Sequence, residues 1–196
     1  MTETPEMSFA ETAQPPSFDA LTLTLTRPAF LAELAAQAQS AARSGNVFSL
    51  LLLDVDHLQN INDCHGIAAG DEVLVGLADR CRQVIAEPAW HRSEYSFGRY
   101  DGGAVSVLAR PCAISQAETL AEALRFAVAE KPLCERISAT VSIGVAQLRI
   151  GETIDELIAR TERVLHLAKQ FGRDRVEVAS APPNRVERAK VVGLYD

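Results

Sequence analysis

The hydrophobic run Leu50-Leu51-Leu52-Leu53 delivers the chain directly into two carboxylates, Asp54 and Asp56, with Val55 between them. A short apolar run without polar interruption is what a strand covered on both faces requires, so the acids are expected at the rigid end of a central strand. Carboxylates held in that way are the hard oxygen ligands that Mg²⁺ takes, and an ion so bound neutralises charge on phosphate oxygens during their transfer. The glycine-rich segment Arg99-Tyr100-Asp101-Gly102-Gly103-Ala104-Val105 adds only Asp101, at the start of its turn. Asp54 also has a plainer explanation as a solvated acid closing a strand, and Asp56 reads as structural.

The elements that must position these groups follow from periodicity. Phe30, Leu31, Leu34, Ala35 and Ala38 recur at helical spacing over 28–43, with Pro28 suited to a first turn and Gly45 to a stop. A strand over 47–53 leads into a short helix over 58–64. A longer helix starts at Gly70-Asp71, runs to about residue 85 and buries Val73, Leu74, Leu77 and Ala78. Residues 95–100 and 104–108 read as hairpin arms, with Asp101-Gly102-Gly103 supplying the positive-φ positions of a tight turn. A helix over 116–129 is drawn from Leu120, Ala123, Leu124 and Phe126, and a strand over 137–148 from its Val, Ile and Thr content. The last helix, 153–171, turns Ile154, Leu157, Ile158, Val164, Leu165 and Ala168 inward, and a final strand covers 175–179. The order is α-β-α-α-β-β-α-β-α-β, a mixed α/β (α+β) domain over 19–180. Residues 1–18, rich in proline and small polar residues, are expected as a disordered leader, and 181–196 as a tail whose Val191, Val192, Leu194 and Tyr195 could dock on a surface or a partner.

Composition narrows the function classes. A formal charge of −7 in 196 residues argues against nucleic acid and anionic lipid as partners, while leaving room for a local basic pocket. The cysteines at 64, 81, 112 and 134 have neither metal-ligand spacing nor a secretory framework, which fits reduced thiols in the cytoplasm. No apolar run approaches the roughly 20 residues that span a bilayer, so no membrane association is expected.

Several segments together carry a family likeness. They are Asp19-Ala20-Leu21-Thr22 with Arg27 and Phe30, Asp54-Val55-Asp56-His57-Leu58, Asn62-Asp63, Gly66, Gly70-Asp71, Arg99-Tyr100, Thr140-Val141-Ser142-Ile143-Gly144-Val145, and Ala168-Lys169 with Gly172-Arg173. In that order they resemble a GGDEF domain, the diguanylate cyclase fold, across roughly 19–179. The resemblance implies a ferredoxin-like palm with a central, mostly antiparallel sheet flanked by helices. It implies chemistry in which two GTP molecules are joined into cyclic di-GMP by a homodimer, with Mg²⁺ at both the attacking and departing oxygens. Under it, Asp54 and the Val55 carbonyl are metal ligands and Asn62 and Asp71 bind the guanine edge. Lys169 and Arg173, four apart on one helical face, reach the β and γ phosphates. The competing explanations are a helix-end amide and acid for Asn62 and Asp71, and a solvated basic helix end for Lys169 and Arg173. Asp19 and Arg27 are expected to pair and fix the turn before the first helix.

The signature itself departs from the family. With Arg99-Tyr100 in register, the second metal carboxylate falls on Gly103, the following acid on Ala104 and the aromatic on Val105, while Asp101 replaces the first glycine and Gly102 keeps the second. Sliding by one residue places Ala104 at the metal position instead. The lysine and histidine the family carries near its phosphates are Gln59 and Ile67, and of the inhibitory Arg-x-x-Asp only Arg92 remains, with Tyr95 in the acid's place. The sequence therefore reads as a catalytically degenerate GGDEF domain with weakened Mg²⁺ binding and no catalytic residue in the signature. Its role would be that of a signalling or protein-interaction module in the cyclic di-GMP pathway that still takes guanine nucleotide. The alternative is an active diguanylate cyclase with relocated metal ligation through Asp101.

Overall fold

The computed structural model describes residues 17–179. The element order is α1 (Arg27–Ser44), β1 (Ser49–Val55), α2 (Leu58–His65), α3 (Ile67–Ile85), a 3-10 turn (Pro88–Trp90), β2 (Glu94–Asp101), β3 (Ala104–Arg110), α4 (Ile114–Glu130), β4 (Val141–Gln147), α5 (Ile154–Gln170) and β5 (Val176–Val178). The sequence-derived order holds apart from the added 3-10 turn. The five strands form one sheet in the order β2-β3-β1-β4-β5, antiparallel except for the parallel β4–β5 pair. Residues 1–16 and 180–196, which include nearly all of the segments read as leader and tail, lie outside the described residues. Phe18, placed in the leader by sequence, already pairs with Leu25.

β1 is the centre of the molecule because both of its faces are buried. Leu50 and Leu52 join the layer formed with Phe30, Leu34, Leu157 and Val164 of α1 and α5. Leu51 and Leu53 join the opposite layer with Val73, Leu77, Leu120 and Leu124 of α3 and α4. Strand alternation sends successive leucines to opposite sides, which is why this segment shows no polar interruption. The same alternation turns Asp54 toward the α5 side.

Three expectations shift. The second long helix starts at Ile67, not at Gly70-Asp71; Gly70 lies inside it, and its glycine is a packing requirement, since a Cβ there would come within 1.8 Å of Asn62 Oδ1 on α2. In α4 the buried face is Ala117, Leu120, Ala121, Leu124 and Val128, whereas Phe126 falls on the outer side and is 64% exposed. The strand expected from 137 begins at Val141, since Ile137 makes a local bridge to Cys134.

Helix α5 reaches its seat against the sheet through Gly144 on β4. A Cβ at that position would stand 2.5 Å from the Thr161 carbonyl oxygen and 2.7 Å from the Leu165 amide nitrogen, both backbone atoms that cannot swing aside. Gly144→Ala is expected to push α5 outward and lower stability by about 1–3 kcal/mol, the usual cost of overpacking, read from the urea midpoint at unchanged slope.

Candidate functional site

Asp54 occupies the last turn of the pleat in β1, opposite Ala104 on β3 and Ser142 on β4. Its Oδ2 lies 2.8 Å from Lys169 Nζ on α5, and the two side chains are 23% and 32% exposed. The hairpin turn is tied to the same spot, since the Val55 N–H donates to the Gly103 carbonyl at 3.2 Å. A Cβ built on Gly103 would stand 3.7 Å from Asp54 Oδ1 and 2.9 Å from Leu58 Cδ2. Position 103 is therefore the place from which a second carboxylate would meet Asp54, and it carries no side chain. Of the turn glycines only Gly102 has positive φ, at 33°, where the sequence had suggested a broader positive-φ turn. Asp101 is exposed, and its side chain makes no ion pair or hydrogen bond among the described residues.

The arrangement is fixed from beneath by Asp56. This residue is 4% exposed and accepts from Thr140 Oγ1 at 2.6 Å, Ser142 Oγ at 2.7 Å and the Asp174 N–H at 3.0 Å. Asp174 in turn holds Arg125 of α4 at 2.8 Å. Sequence reasoning marked Asp56 as structural but did not find Asp174. The polar Thr140 and Ser142, flanking Val141 at the entry to β4, were the available signal.

The phosphate-end pair differs from the expectation. Lys169 lies on α5, but the helix ends at Gln170 and Gly172, Arg173 and Asp174 all have positive φ, at 117°, 65° and 43°. The Arg173 N–H folds back onto the Ala168 carbonyl at 3.0 Å, closing the helix end in the manner of a glycine-terminated cap. Arg173 and Lys169 thus do not share a helical face; Arg173 is exposed and pairs with no carboxylate among the described residues.

Asn62 and Asp71 fall on the paired helices α2 and α3. The Asn62 side chain rests on Gly70, the residue before Asp71, and its buried Oδ1 has no hydrogen-bond partner. Asp71 lines a concavity of about 610 Å³ with Leu21, Val75 and Leu133, of whose lining Asn62 is not a part. An amide N–H from Asn62 and a carboxylate from Asp71 are the complementary groups for a purine edge that both accepts and donates.

Near the remaining motif, Arg92 is exposed beside a concavity of about 430 Å³ that it shares with Trp90, Tyr95 and Gln116. The Tyr95 hydroxyl already donates to the Trp90 carbonyl at 3.1 Å, and Glu94 faces Arg110 at 3.5 Å, so neither supplies Arg92 with an acid. The expected Asp19–Arg27 pair is replaced by other partners. Asp19 accepts from the Thr22 amide and hydroxyl and lies 3.7 Å from Arg99, while Arg27 stacks over the Tyr100 ring at 4.7 Å. Burial raises the Asp19 carboxyl, yet those donors and the Arg99 charge outweigh it and hold it below the usual carboxylate range. The Arg99 guanidinium is drawn to this side because it also donates to the Gly102 carbonyl at 3.1 and 2.6 Å, bracing the turn.

The sequence model of the family described as Diguanylate cyclase, GGDEF domain, matches residues 17–175. The chain belongs to the GGDEF family. Diguanylate cyclase DgcM of Escherichia coli K12 is 38% identical over 132 residues, covering 67% of this chain and 31% of that protein. Diguanylate cyclase DgcP of Pseudomonas aeruginosa is 32% identical over 164 residues, 82% of this chain and 24% of that one. The GGDEF domain thus spans about a third or less of these two curated relatives. Among solved structures, the GGDEF domain of DgcB from Caulobacter crescentus in complex with c-di-GMP superposes with a TM-score of 0.77 at 29% identity, covering 86% of this chain and 98% of that one. The active GGEEF domain of a diguanylate cyclase from Vibrio cholerae gives 0.73 at 28% identity, over 80% and 98% of the two chains. The mixed sheet flanked by helices is the fold of this GGDEF family.

The donor set of this GGDEF domain does not suit a two-ion centre. Mg²⁺ is ordinarily held by one or two carboxylates together with substrate phosphates. Here the one carboxylate at the position is already neutralised by an ammonium, and its opposite number at 103 is a glycine. The buried Asp56 cannot serve instead, because three donors occupy it. Asp56→Ala is expected to cost about 3 kcal/mol of folding free energy, leaving the buried Ser142 hydroxyl, the half-buried Thr140 hydroxyl and an amide without their acceptor, and Asp56→Asn about half of that, measured by denaturant unfolding.

Proposed function

We propose that this GGDEF domain is a regulatory or protein-interaction module of cyclic di-GMP signalling that has lost cyclase chemistry and retains a site for guanine nucleotide. The observation that carries the reading is the Asp54–Lys169 pair facing Gly103. Joining two GTP molecules requires charge to be neutralised on both the attacking and the leaving oxygen, and a single carboxylate matched by a single ammonium has no net charge with which to hold two divalent ions. The amide at Asn62 and the carboxylate at Asp71, on the adjoining helices α2 and α3, support continued recognition of guanine by residue type, with Lys169 as the cation offered to phosphate and Arg173 a second one beyond the helix end. Mg²⁺ would at most be bound weakly at Asp54 and the Val55 carbonyl.

A degenerate domain of this kind acts through what it binds. SiaD of Pseudomonas aeruginosa, a diguanylate cyclase 30% identical to this chain, was solved in complex with its activator SiaC, which makes a protein partner a natural expectation here. The Arg92 concavity lacks the acid of an inhibitory motif and is not assigned to cyclic di-GMP. The alternative, an active homodimeric cyclase with relocated ligation, depends on Asp101, whose side chain is exposed and makes no hydrogen bond or ion pair among the described residues. No helix among the described residues is long and apolar enough to cross a membrane, and a cytoplasmic location is the proposed setting.

Two measurements test the proposal. Purified protein incubated with GTP and either Mg²⁺ or Mn²⁺ is expected to yield no cyclic di-GMP by chromatography; enzyme-dependent product would overturn the loss of chemistry. In calorimetry, replacing both Asn62 and Asp71 by alanine should weaken GTP binding by at least about tenfold, the consequence of removing a hydrogen-bond donor and a charged acceptor. Equal affinity in the double variant would remove the guanine site.

A further inference from the structure

Lys169 Nζ and Asp54 Oδ2 are 2.8 Å apart in a position that is partly shielded yet open to solvent on one side. A bare carboxylate at the end of β1 would repel a phosphate chain. A metal site overcomes that repulsion with a divalent ion shared between carboxylates and phosphates. In this chain the shared cation is an ammonium carried on a flexible four-carbon stem, which can turn from one oxygen to another by rotation alone. Arg173 stands close by in sequence with no carboxylate partner among the described residues, its neighbour Asp174 being committed to Arg125. Position 103, where a second acid would demand a metal ion for neutralisation, is a glycine whose Cβ would lie 3.7 Å from Asp54 Oδ1.

We propose that this domain binds guanine nucleoside polyphosphate without a divalent cation. Lys169 exchanges Asp54 for a phosphate oxygen, so that Asp54 competes with the ligand instead of anchoring a metal ion for it. The proposal rests on the guanine site described above and adds how its phosphate end is neutralised. It inverts the role that Asp54 has in a metal-dependent site, and the inversion shows in the sign of a single substitution. With a metal anchor, Asp54→Asn weakens nucleotide binding in magnesium. With a competing ion pair, the same change frees Lys169 and strengthens binding.

The test is calorimetric titration of the full 196-residue chain with GTP, in excess EDTA and in millimolar magnesium chloride, for the unaltered protein, D54N, K169M and G103D. The unaltered protein is expected to bind within about twofold in the two conditions. D54N should bind about five- to tenfold tighter in EDTA and K169M about tenfold weaker, the range for gaining or losing one charge-assisted phosphate contact. G103D should bind more weakly in EDTA, with magnesium restoring the loss, because it recreates the two-carboxylate arrangement. Binding by the unaltered protein that disappears in EDTA overturns the proposal, as does a D54N variant that binds less tightly in magnesium. Absence of GTP binding in both conditions removes the guanine site itself, and this proposal with it. Asp54 and Lys169 are both partly exposed, so the variants are expected to melt cooperatively; should D54N fail to fold, the EDTA comparison on the unaltered chain decides alone.

Discussion

A buried carboxylate has to be satisfied or it destabilises whatever holds it, and in this domain Asp56 meets that condition with three donors from two separate segments. Thr140 immediately precedes β4 and Ser142 lies within it, and the Asp174 amide comes from the connection between α5 and β5. The carboxyl end of the central strand, its neighbouring strand and the end of the last helix are thereby held in one piece. Asp54 is two residues from this knot on one side and Lys169 is five residues from it on the other. That framework fixes the backbone positions from which Asp54 and Lys169 make their 2.8 Å contact.

The same framework explains why the signature hairpin matters even without an acid. Its turn is hydrogen-bonded to Val55 through the Gly103 carbonyl and braced by Arg99, so residue 103 is held against Asp54 irrespective of what side chain it carries. The hairpin backbone is held beside Asp54 while position 103 carries no side chain. Gly103 also has φ outside the positive range, so no conformational demand of the turn calls for glycine there; an acidic side chain would need only the flexible end of Leu58 to move. The electrostatic balance around Asp54 is therefore set by side-chain identity alone, and one ammonium suffices to neutralise it.

Much of this was legible in the chain itself. The leucine run announces a strand buried on both faces, and the apolar spacing of 73, 74, 77 and 78 gives the buried stripe of α3, because such patterns reflect local geometry repeated along one element. That positions 103 and 104 hold Gly and Ala, and positions 62 and 71 Asn and Asp, is equally a matter of residue identity. Where local pattern misled, tertiary contact was the reason. Gly70 looked like a helix boundary but is a point of close approach to Asn62, and Phe126 looked like core but faces outward because α4 buries the face that carries Leu120, Leu124 and Val128.

Sequence by itself determined the order of elements and the family, since each of these depends on side-chain type and short-range period. Only the tertiary structure decided which charges meet. Helical spacing placed Lys169 and Arg173 together, yet three consecutive left-handed residues end the helix and part them, while a lysine and an aspartate 115 positions apart in the chain come into contact. Such pairings arise from how the sheet and α5 pack on one another, through contacts such as Gly144 against Thr161, and no local pattern in the sequence encodes the distance between two elements.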